Sequence, residues 1–307
     1  MLRHCDLFAG TGAFTLALEN TGKVETVYAN DMCKNSKVIY DHNFKVKLDH
    51  RNLNDVPPSE IPPHDVLTGG FPCQPFSVAG KREGFRDPRS NVFWAIMNIV
   101  EHHKPRYVIL ENVKNLTTHD NGNTIKTVRE ALEEKGYSIT WKVVDTAKIT
   151  EVPQHRERIY LVATLGESPA MEFPVVAKRP VADFLERGEI PAKYYYTEAS
   201  KAWELVSEAC TERGVVYQYR RVYVRDNKSG ECPTLTANMG GGGHNVPLIV
   251  DDAGIRKLTP RECFNLQGFP DTYKLPALAD CHLYKLAGNA VSYPVARLIS
   301  QKIMDLN

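Results

Sequence analysis

A chain of 307 residues that is 42% hydrophobic and 24% charged has the make-up of an ordinary globular protein, long enough for one large domain and a smaller one. No apolar run approaches the ~18 residues that span a bilayer, and the N-terminus lacks a secretory leader's features, so a soluble, cytoplasmic protein is expected. The net charge of +1 gives no bulk signal for a polyanionic partner, and seven cysteines, no two closer than 18 positions, exclude a CxxC pair and argue against a disulfide framework.

In chain order, residues 2–8 (LRHCDLF) read as a strand running into Ala9-Gly10-Thr11-Gly12 and a helical stretch through Glu19. Glycines let backbone approach a ligand closely, and a helix N-terminus favours negative charge, so this turn has the form of a nucleotide-type site. Position 15 is Thr, which breaks the G-x-G-x-x-G fingerprint and argues against NAD or FAD. Asp31, past a second strand at 24–29, suits ribose hydroxyls. Read alone, the turn is equally a tight βα connection with no ligand.

Further apolar runs at 65–68, 107–110, 139–144 and 159–165 alternate with helical patterns at 91–103 and 124–135. Such alternation implies an α/β fold, a Rossmann-like, mostly parallel sheet covered on both faces. The run at 65–68 leads into Gly69-Gly70-Phe71-Pro72-Cys73-Gln74-Pro75-Phe76-Ser77. A cysteine just past the carboxyl end of a parallel strand stands where open sheets place their chemistry. Prolines on both sides restrict the loop. A packed loop cysteine is the alternative. Lys81, Arg82, Arg86 and Arg89 make 78–90 basic, with Gly80 and Gly84 as hinge positions, which suits closure over a polyanion.

Past 165 the texture changes. Residues 166–255 hold few clear helices, with prolines, Tyr194-Tyr195-Tyr196 and a glycine run at 240–243, as in a smaller and more irregular domain. Between 213 and 228, Arg213, Arg220, Arg221, Arg225 and Lys228 face one acid, Asp226, with Tyr217, Tyr219 and Tyr223 interleaved. Alone, this is an exposed strand with solvated charges. The stretch 283–306 returns to a helical pattern expected to pack back onto the first domain. The division is therefore drawn as 1–165 plus 283–307, against 166–282.

Five fragments then stand in one order: Phe8-Ala-Gly-Thr-Gly12, Pro72-Cys73-Gln74, Glu111-Asn112-Val113, Gln154-His-Arg156-Glu-Arg158 and Gly288-Asn289-Ala290-Val291. Together they resemble the ordered motif set of the DNA (cytosine-5) methyltransferases, over almost the whole chain. The segment 111–124 (ENVKNLTTHDNGNT) resembles the HhaI-type bacterial enzymes. The resemblance implies a class I S-adenosylmethionine-dependent methyltransferase fold whose smaller domain recognises the target. It implies S-adenosylmethionine as cofactor, no metal, and double-stranded DNA as substrate. It also implies a prokaryotic monomer, with a cognate restriction endonuclease acting on the same site as a further partner.

Cytosine carbon 5 is a poor nucleophile. A thiolate adding at carbon 6 turns the ring into an enamine able to take a methyl group from a sulfonium. The resemblance gives that thiolate to Cys73. It gives the donor at N3 to Glu111, which must carry a proton in the transition state, as burial would favour. It gives the contact at O2 to Arg158, whose charge also lowers the thiol's pKa. Arg156 alternates with Arg158, so on a strand the two share a face, with Arg156 orienting the loop or Glu111. Glu111 equally reads as a carboxylate in a loop hydrogen-bond network. No side chain stands out as the base that removes the carbon 5 proton.

For the cofactor the resemblance carries over Phe8, Gly10, Gly12, Asp31, Met32, Pro72, Asn289 and Val291. Asn52 stands where relatives often hold the adenine amino group with Asp, and Met32 where an aromatic ring is common. A base inside a duplex is inaccessible, so the target must be flipped out, at a few kcal/mol. Pro233-Thr234-Leu235-Thr236-Ala237, the glycine run with Gly241, and His244 resemble the family's recognition core. Thr234 would brace the orphaned phosphate. Ser77, Arg82, Arg220, Arg221, Arg225, Thr236 and His244 complete the expected DNA contacts. Arg256 and Arg261, within 256–271 (RKLTPRECFNLQGFPD), read as structural or phosphate-binding. A transfer-RNA cytosine-5 methyltransferase is the alternative, and its distinctive cysteine-containing tripeptide is not found in the smaller domain.

Overall fold

The computed structural model describes residues 1–71, 91–227, 229–241 and 245–306. The chain divides into two compact units: Met1–Val144 with Glu157–Phe173 and Ala296–Asn307, and Asp145–Arg156 with Pro174–Val295. The sequence reading drew these lines at 165/166 and 282/283. The loop 145–156 falls in the second unit because its backbone is bonded there: His155 N donates to Cys232 O, and Cys232 N to Pro153 O.

In the first unit β1 (Leu2–Leu7), β2 (Val24–Asn30), β3 (Val66–Gly70), β4 (Tyr107–Val113), β5 (Ser138–Asp145) and β6 (Glu157–Thr164) form a six-stranded sheet in the order β2-β1-β3-β4-β6-β5. β1 pairs parallel with β2 and β3, and β3 with β4, whereas β6 runs antiparallel to β4. This is the mostly parallel α/β sheet that the alternation of strands and helices implied. Val66, Leu67, Val108, Ile109 and Leu110 are fully buried, which is why these strands read as unbroken apolar runs.

The helices beside the sheet are α1 (Ala13–Glu19), α2 (Lys34–Asn43), α3 (Asn91–His103) and α4 (Asn123–Glu133). On α3, Phe93, Ile96, Met97 and Val100 recur at helical spacing and form one buried stripe. They join Val108, Leu110, Ile159 and Leu161 of the sheet, and Val128 and Leu132 of α4, in one core.

The second unit holds α5 (Thr146–Ile149), α6 (Trp203–Ala209), β7 (Val216–Tyr219), β8 (Val224–Asn227), β9 (Leu248–Val250), β10 (Ile255–Lys257), α7 (Pro260–Leu266) and α8 (Asp280–Asn289). Its sheet runs β10-β9-β7-β8 with antiparallel pairing. Val206 and Cys210 cover Tyr217, Leu248 and Ile255. Thr259 starts α7 with a capping box to Glu262, and Pro260 takes the first turn, where its missing N–H costs nothing. Glu262 also receives the Arg256 guanidinium on both oxygens, at 2.8 and 2.7 Å. That pair is fully buried, so Arg256 is structural. Arg261 donates to Tyr273 O at 2.7 Å.

The helical stretch expected at 283–306 is two helices. α8 ends at Asn289, and α9 (Tyr293–Met304) begins three residues later. Pro294 explains the break, since proline is tolerated only in a helix's first turn. Among the described residues no helix is long and apolar enough to cross a membrane.

Candidate active site

The carboxyl ends of the parallel strands gather the expected catalytic and cofactor residues of the first unit, as open α/β sheets do. Leu7 lies opposite Gly69, and Gly70 opposite Glu111. The chain therefore leaves β1 into Phe8, leaves β3 toward Cys73 and reaches Glu111 on β4 at one level. With strands about 4.8 Å apart, β1 and β4 are separated there by roughly 10 Å. Asn112, buried beside Glu111, donates its amide to Phe71 O at 2.9 Å. Val113 N closes its other side, donating to Asn112 Oδ1 at 2.8 Å. The last residue before Pro72 is thus tied to the strand that carries Glu111.

Glu111 and Arg158 form an ion pair. Nε stands 3.3 Å from Oε1, with the side chains 11% and 15% exposed respectively. Register explains the meeting. Glu111 faces Tyr160 and Val113 faces Arg158, so the two residues sit diagonally on one face of β4 and β6. Because β6 is antiparallel, its first residues lie at the edge where β4 ends. Arg158 Nη1 also donates to Glu157 O at 2.8 Å.

The turn after β1, residues 8–12, is built on unusual backbone. Phe8 has φ +53, Gly10 +54 and Gly12 +73. A non-glycine residue held at positive φ is strained, and such strain concentrates at ligand sites. A side chain on Gly12 would run into the rings of Phe44 and Tyr40. Asp31 fixes the turn, accepting from Gly10 N at 2.9 Å and Cys33 N at 2.8 Å. Burial pushes its carboxyl above the usual range, against those two backbone hydrogen bonds. The Ser36 side chain is a third donor to it, and since a carboxylate has about four acceptor sites Asp31 keeps capacity for one ligand hydroxyl. Met32, next to it, leaves 65% of its surface exposed, an apolar face with no covering group. Asn52 Oδ1 caps a short 3-10 turn by accepting from Asn54 N at 3.1 Å. These groups fit a ribosyl-adenine ligand: a carboxylate for a hydroxyl, an apolar face for a base, and backbone brought close by glycine.

In the second unit, Arg156 is buried. Its guanidinium donates to Leu235 O at 3.0 Å, Gly288 O at 3.3 Å and Ala290 O at 2.7 Å. The expectation that it shares a strand face with Arg158 is corrected, because β6 begins at Glu157. Gln154 accepts from Leu235 N and donates to Leu266 O. A Cβ on Gly288 would strike the Thr236–Ala237 backbone, so glycine there lets α8 lie against that segment. Asn289 closes α8, and Val291 follows it. Thr234 Oγ1 donates to His155 O at 2.6 Å. Arg220, Arg225, Thr234 and Thr236 line one open cleft. Arg221 holds the β7–β8 turn at φ +67. Gly241 N donates to Asn238 O at 2.9 Å.

The sequence profile described as C-5 cytosine-specific DNA methylase matches residues 2–305. The chain belongs to the C-5 cytosine-specific DNA methylase family. It is 46% identical to the Type II methyltransferase M.Bsp6I of Bacillus sp. (strain RFL6), covering 99% of this chain and 98% of that one. To the Type II methyltransferase M.HhaI of Haemophilus parahaemolyticus it is 35% identical, covering 98% and 94%. The solved structure of the S. pombe Dnmt2 methyltransferase has a TM-score of 0.80 at 22% identity, covers 100% of both chains, and shares the fold.

Membership makes the protein an enzyme and implies S-adenosylmethionine as methyl donor. Among the described residues no group of His, Cys, Asp and Glu is placed to hold a metal ion. Pro72, Cys73, Ser77, Arg82 and His244 lie outside the described residues.

One element of this methylase escaped sequence reading: a buried polar chain beneath the cofactor turn. His4 Nδ1 meets Thr26 Oγ1 at 3.0 Å, and its Nε2 meets Thr68 Oγ1 at 2.7 Å. Thr68 donates to Asp6 Oδ1 at 2.6 Å, and Thr15 to Asp6 Oδ2 at 2.8 Å. Thr15, read only as a missing glycine, is therefore the hydroxyl that joins α1 to the end of β1. Burial pushes the Asp6 carboxyl up to about 6 and the His4 imidazole down to about 3. Between pH 4 and 6 the folded chain holds both neutral, while the unfolded chain holds both charged, so the opposite pH slopes they give to stability cancel there.

Asp6→Asn uncouples them. A carboxyl raised in the folded state contributes fully below its unfolded value, near 4, and that contribution is lost as pH rises toward 6. The variant should therefore gain on the wild type between pH 4 and 7, by up to about 3 kcal/mol. The difference between two denaturant-midpoint curves measures it.

Proposed function

We propose that the methylase transfers a methyl group to carbon 5 of a cytosine flipped out of a short, specific duplex sequence, through a Cys73 adduct at carbon 6. The observation that carries this reading is the Glu111–Arg158 pair at the strand ends, level with the Gly10–Asp31 turn and with the chain's exit toward Cys73. S-adenosylmethionine supplies the methyl group as a sulfonium electrophile. The Cys73 thiolate forms the bond to carbon 6, and Glu111 gives a proton to N3 as charge builds there. Arg158 holds the Glu111 carboxyl and donates to O2. Once carbon 5 is methylated, water takes its proton, the carbon–sulfur bond breaks to release the thiolate, and N3 returns its proton to the Glu111 carboxylate.

Phe8, Gly10, Gly12, Asp31, Met32, Asn52, Pro72, Asn289 and Val291 hold the donor. Target reading falls to 166–282, with 1–165 and 283–307 carrying catalysis. Arg156 clamps the recognition segment through the carbonyls of Leu235, Gly288 and Ala290. The enzyme works as a cytoplasmic monomer, and the names of its Type II relatives support a restriction endonuclease of the same target as its counterpart. Those relatives also favour DNA over transfer RNA. Sequencing the DNA of cells that express the protein tests the reading: 5-methylcytosine at one short sequence is expected, and unmodified DNA beside methylated transfer RNA would reverse it.

A further inference from the structure

Within Gln154-His155-Arg156-Glu157-Arg158, His155 takes no part in the mechanism and carries a buried carboxylate on its ring. His155 Nδ1 lies 2.7 Å from Asp145 Oδ2, and the histidine side chain is 51% exposed where the aspartate's is 5%. Asp145 is itself fixed, its other oxygen accepting from Arg156 N at 2.9 Å and Ala147 N at 3.3 Å. The backbone of His155 is pinned on both sides, by its N–H to Cys232 O at 2.9 Å and by Thr234 Oγ1 to its carbonyl at 2.6 Å. A buried carboxylate thus holds one ring nitrogen, and Nε2 is left for a partner from outside.

His155 lines the open cleft of about 460 Å³ in the second unit, shared with Arg220, Arg225, Gln218, Ser229 and Thr234. The charge there favours an anion. Arg220 and Arg225 bring two guanidinium groups, and the cleft's acid, Glu231, is neutralised by Lys178 at 2.6 Å. The neighbouring hydroxyl of Thr234 is bonded to the His155 carbonyl and not to the ring.

We propose that the Asp145–His155 pair is a DNA-phosphate contact of this methylase, presenting Nε2–H to the backbone of the duplex in the cleft of the second unit. The proposal rests on the DNA-methylation reading above. Asp145 accepts from Nδ1–H, so the ring that presents Nε2–H is the imidazolium, set between the carboxylate and the phosphate, while the hydrogen bonds to Cys232 and Thr234 fix the residue's backbone. A preset donor of this kind positions the duplex without reading its sequence.

The test compares His155→Ala and His155→Lys in full-length protein, by fluorescence anisotropy with a duplex carrying the methylated site and one lacking it. Loss of the contact should weaken binding of both duplexes by the same factor, about tenfold. Steady-state methylation should show the change in KM for DNA rather than in kcat, and the lysine variant should recover the affinity. Unequal losses on the two duplexes would make His155 a base reader. Unchanged binding, or a lysine variant as weak as the alanine one, would make the pair a loop brace. Each of these outcomes overturns the proposal. Failure of the wild type to bind or methylate duplex DNA would instead overturn the functional reading.

Discussion

Cys73→Ser is expected to abolish methyl transfer, by at least about 10³-fold, while S-adenosylmethionine and DNA still bind. A serine hydroxyl is a weak nucleophile at neutral pH, because its pKa leaves almost none of it ionised. The remaining cysteines offer poor substitutes. Burial pushes the thiols of Cys5, Cys232 and Cys263 up, and that of Cys210 up to about 12, so none of these four supplies a thiolate. Cys33 follows β2, three strands from β4, and Cys281 stands on α8 of the second unit. Cys73 follows within three residues of Gly70, which is paired with Glu111, and within two of Phe71, whose carbonyl Asn112 holds. Incorporation of labelled methyl groups gives the activity, and calorimetric titration gives donor binding. Retained activity in the serine variant would remove Cys73 from the mechanism.

Glu111→Gln should lower kcat by about 10²–10⁴-fold, the range for losing a positioned proton donor. Glutamine keeps the shape and an oxygen for the Arg158 Nε–H, so the β4–β6 edge should survive and the protein should fold normally. What glutamine lacks is a proton to transfer. Its amide can hydrogen-bond N3 but cannot neutralise the charge that follows thiolate addition. Arg158→Ala acts differently, because it leaves Glu111, only 11% exposed, without the cation that faces it. Its loss should then show in stability as well as in rate. Single-turnover methylation with saturating DNA separates these effects from binding.

The site's first unit was legible because strand ends and chemistry coincide in sequence. Asp31, Gly70 and Glu111 each close an apolar run, and such runs mark buried parallel strands. The partners of Arg156 were not legible for a physical reason. Its alternation with Arg158 matches a strand, but the hydrogen bonds that hold it reach residues 79 to 134 positions away, and local pattern carries no trace of those. The same holds for Asp6 and His4, whose partners Thr68 and Thr26 lie on other strands. Their alternation in β1 looked like an ordinary buried run. Asp145 and His155 stand ten positions apart on either side of α5, and only the fold of that loop joins them. The break between α8 and α9 was readable in Pro294, which a single helix across 283–306 cannot accommodate.

Duplex DNA carrying 5-fluorocytosine at the modified position, incubated with the enzyme and S-adenosylmethionine, tests the central claim most directly. Fluorine cannot leave as a proton does, so elimination stops after methyl transfer and the thioether to carbon 6 persists. The account predicts a protein–DNA adduct that survives denaturation, with the attached peptide containing Cys73, and no adduct with Cys73→Ser. An active enzyme that forms no adduct, or one joined through another residue, would contradict it.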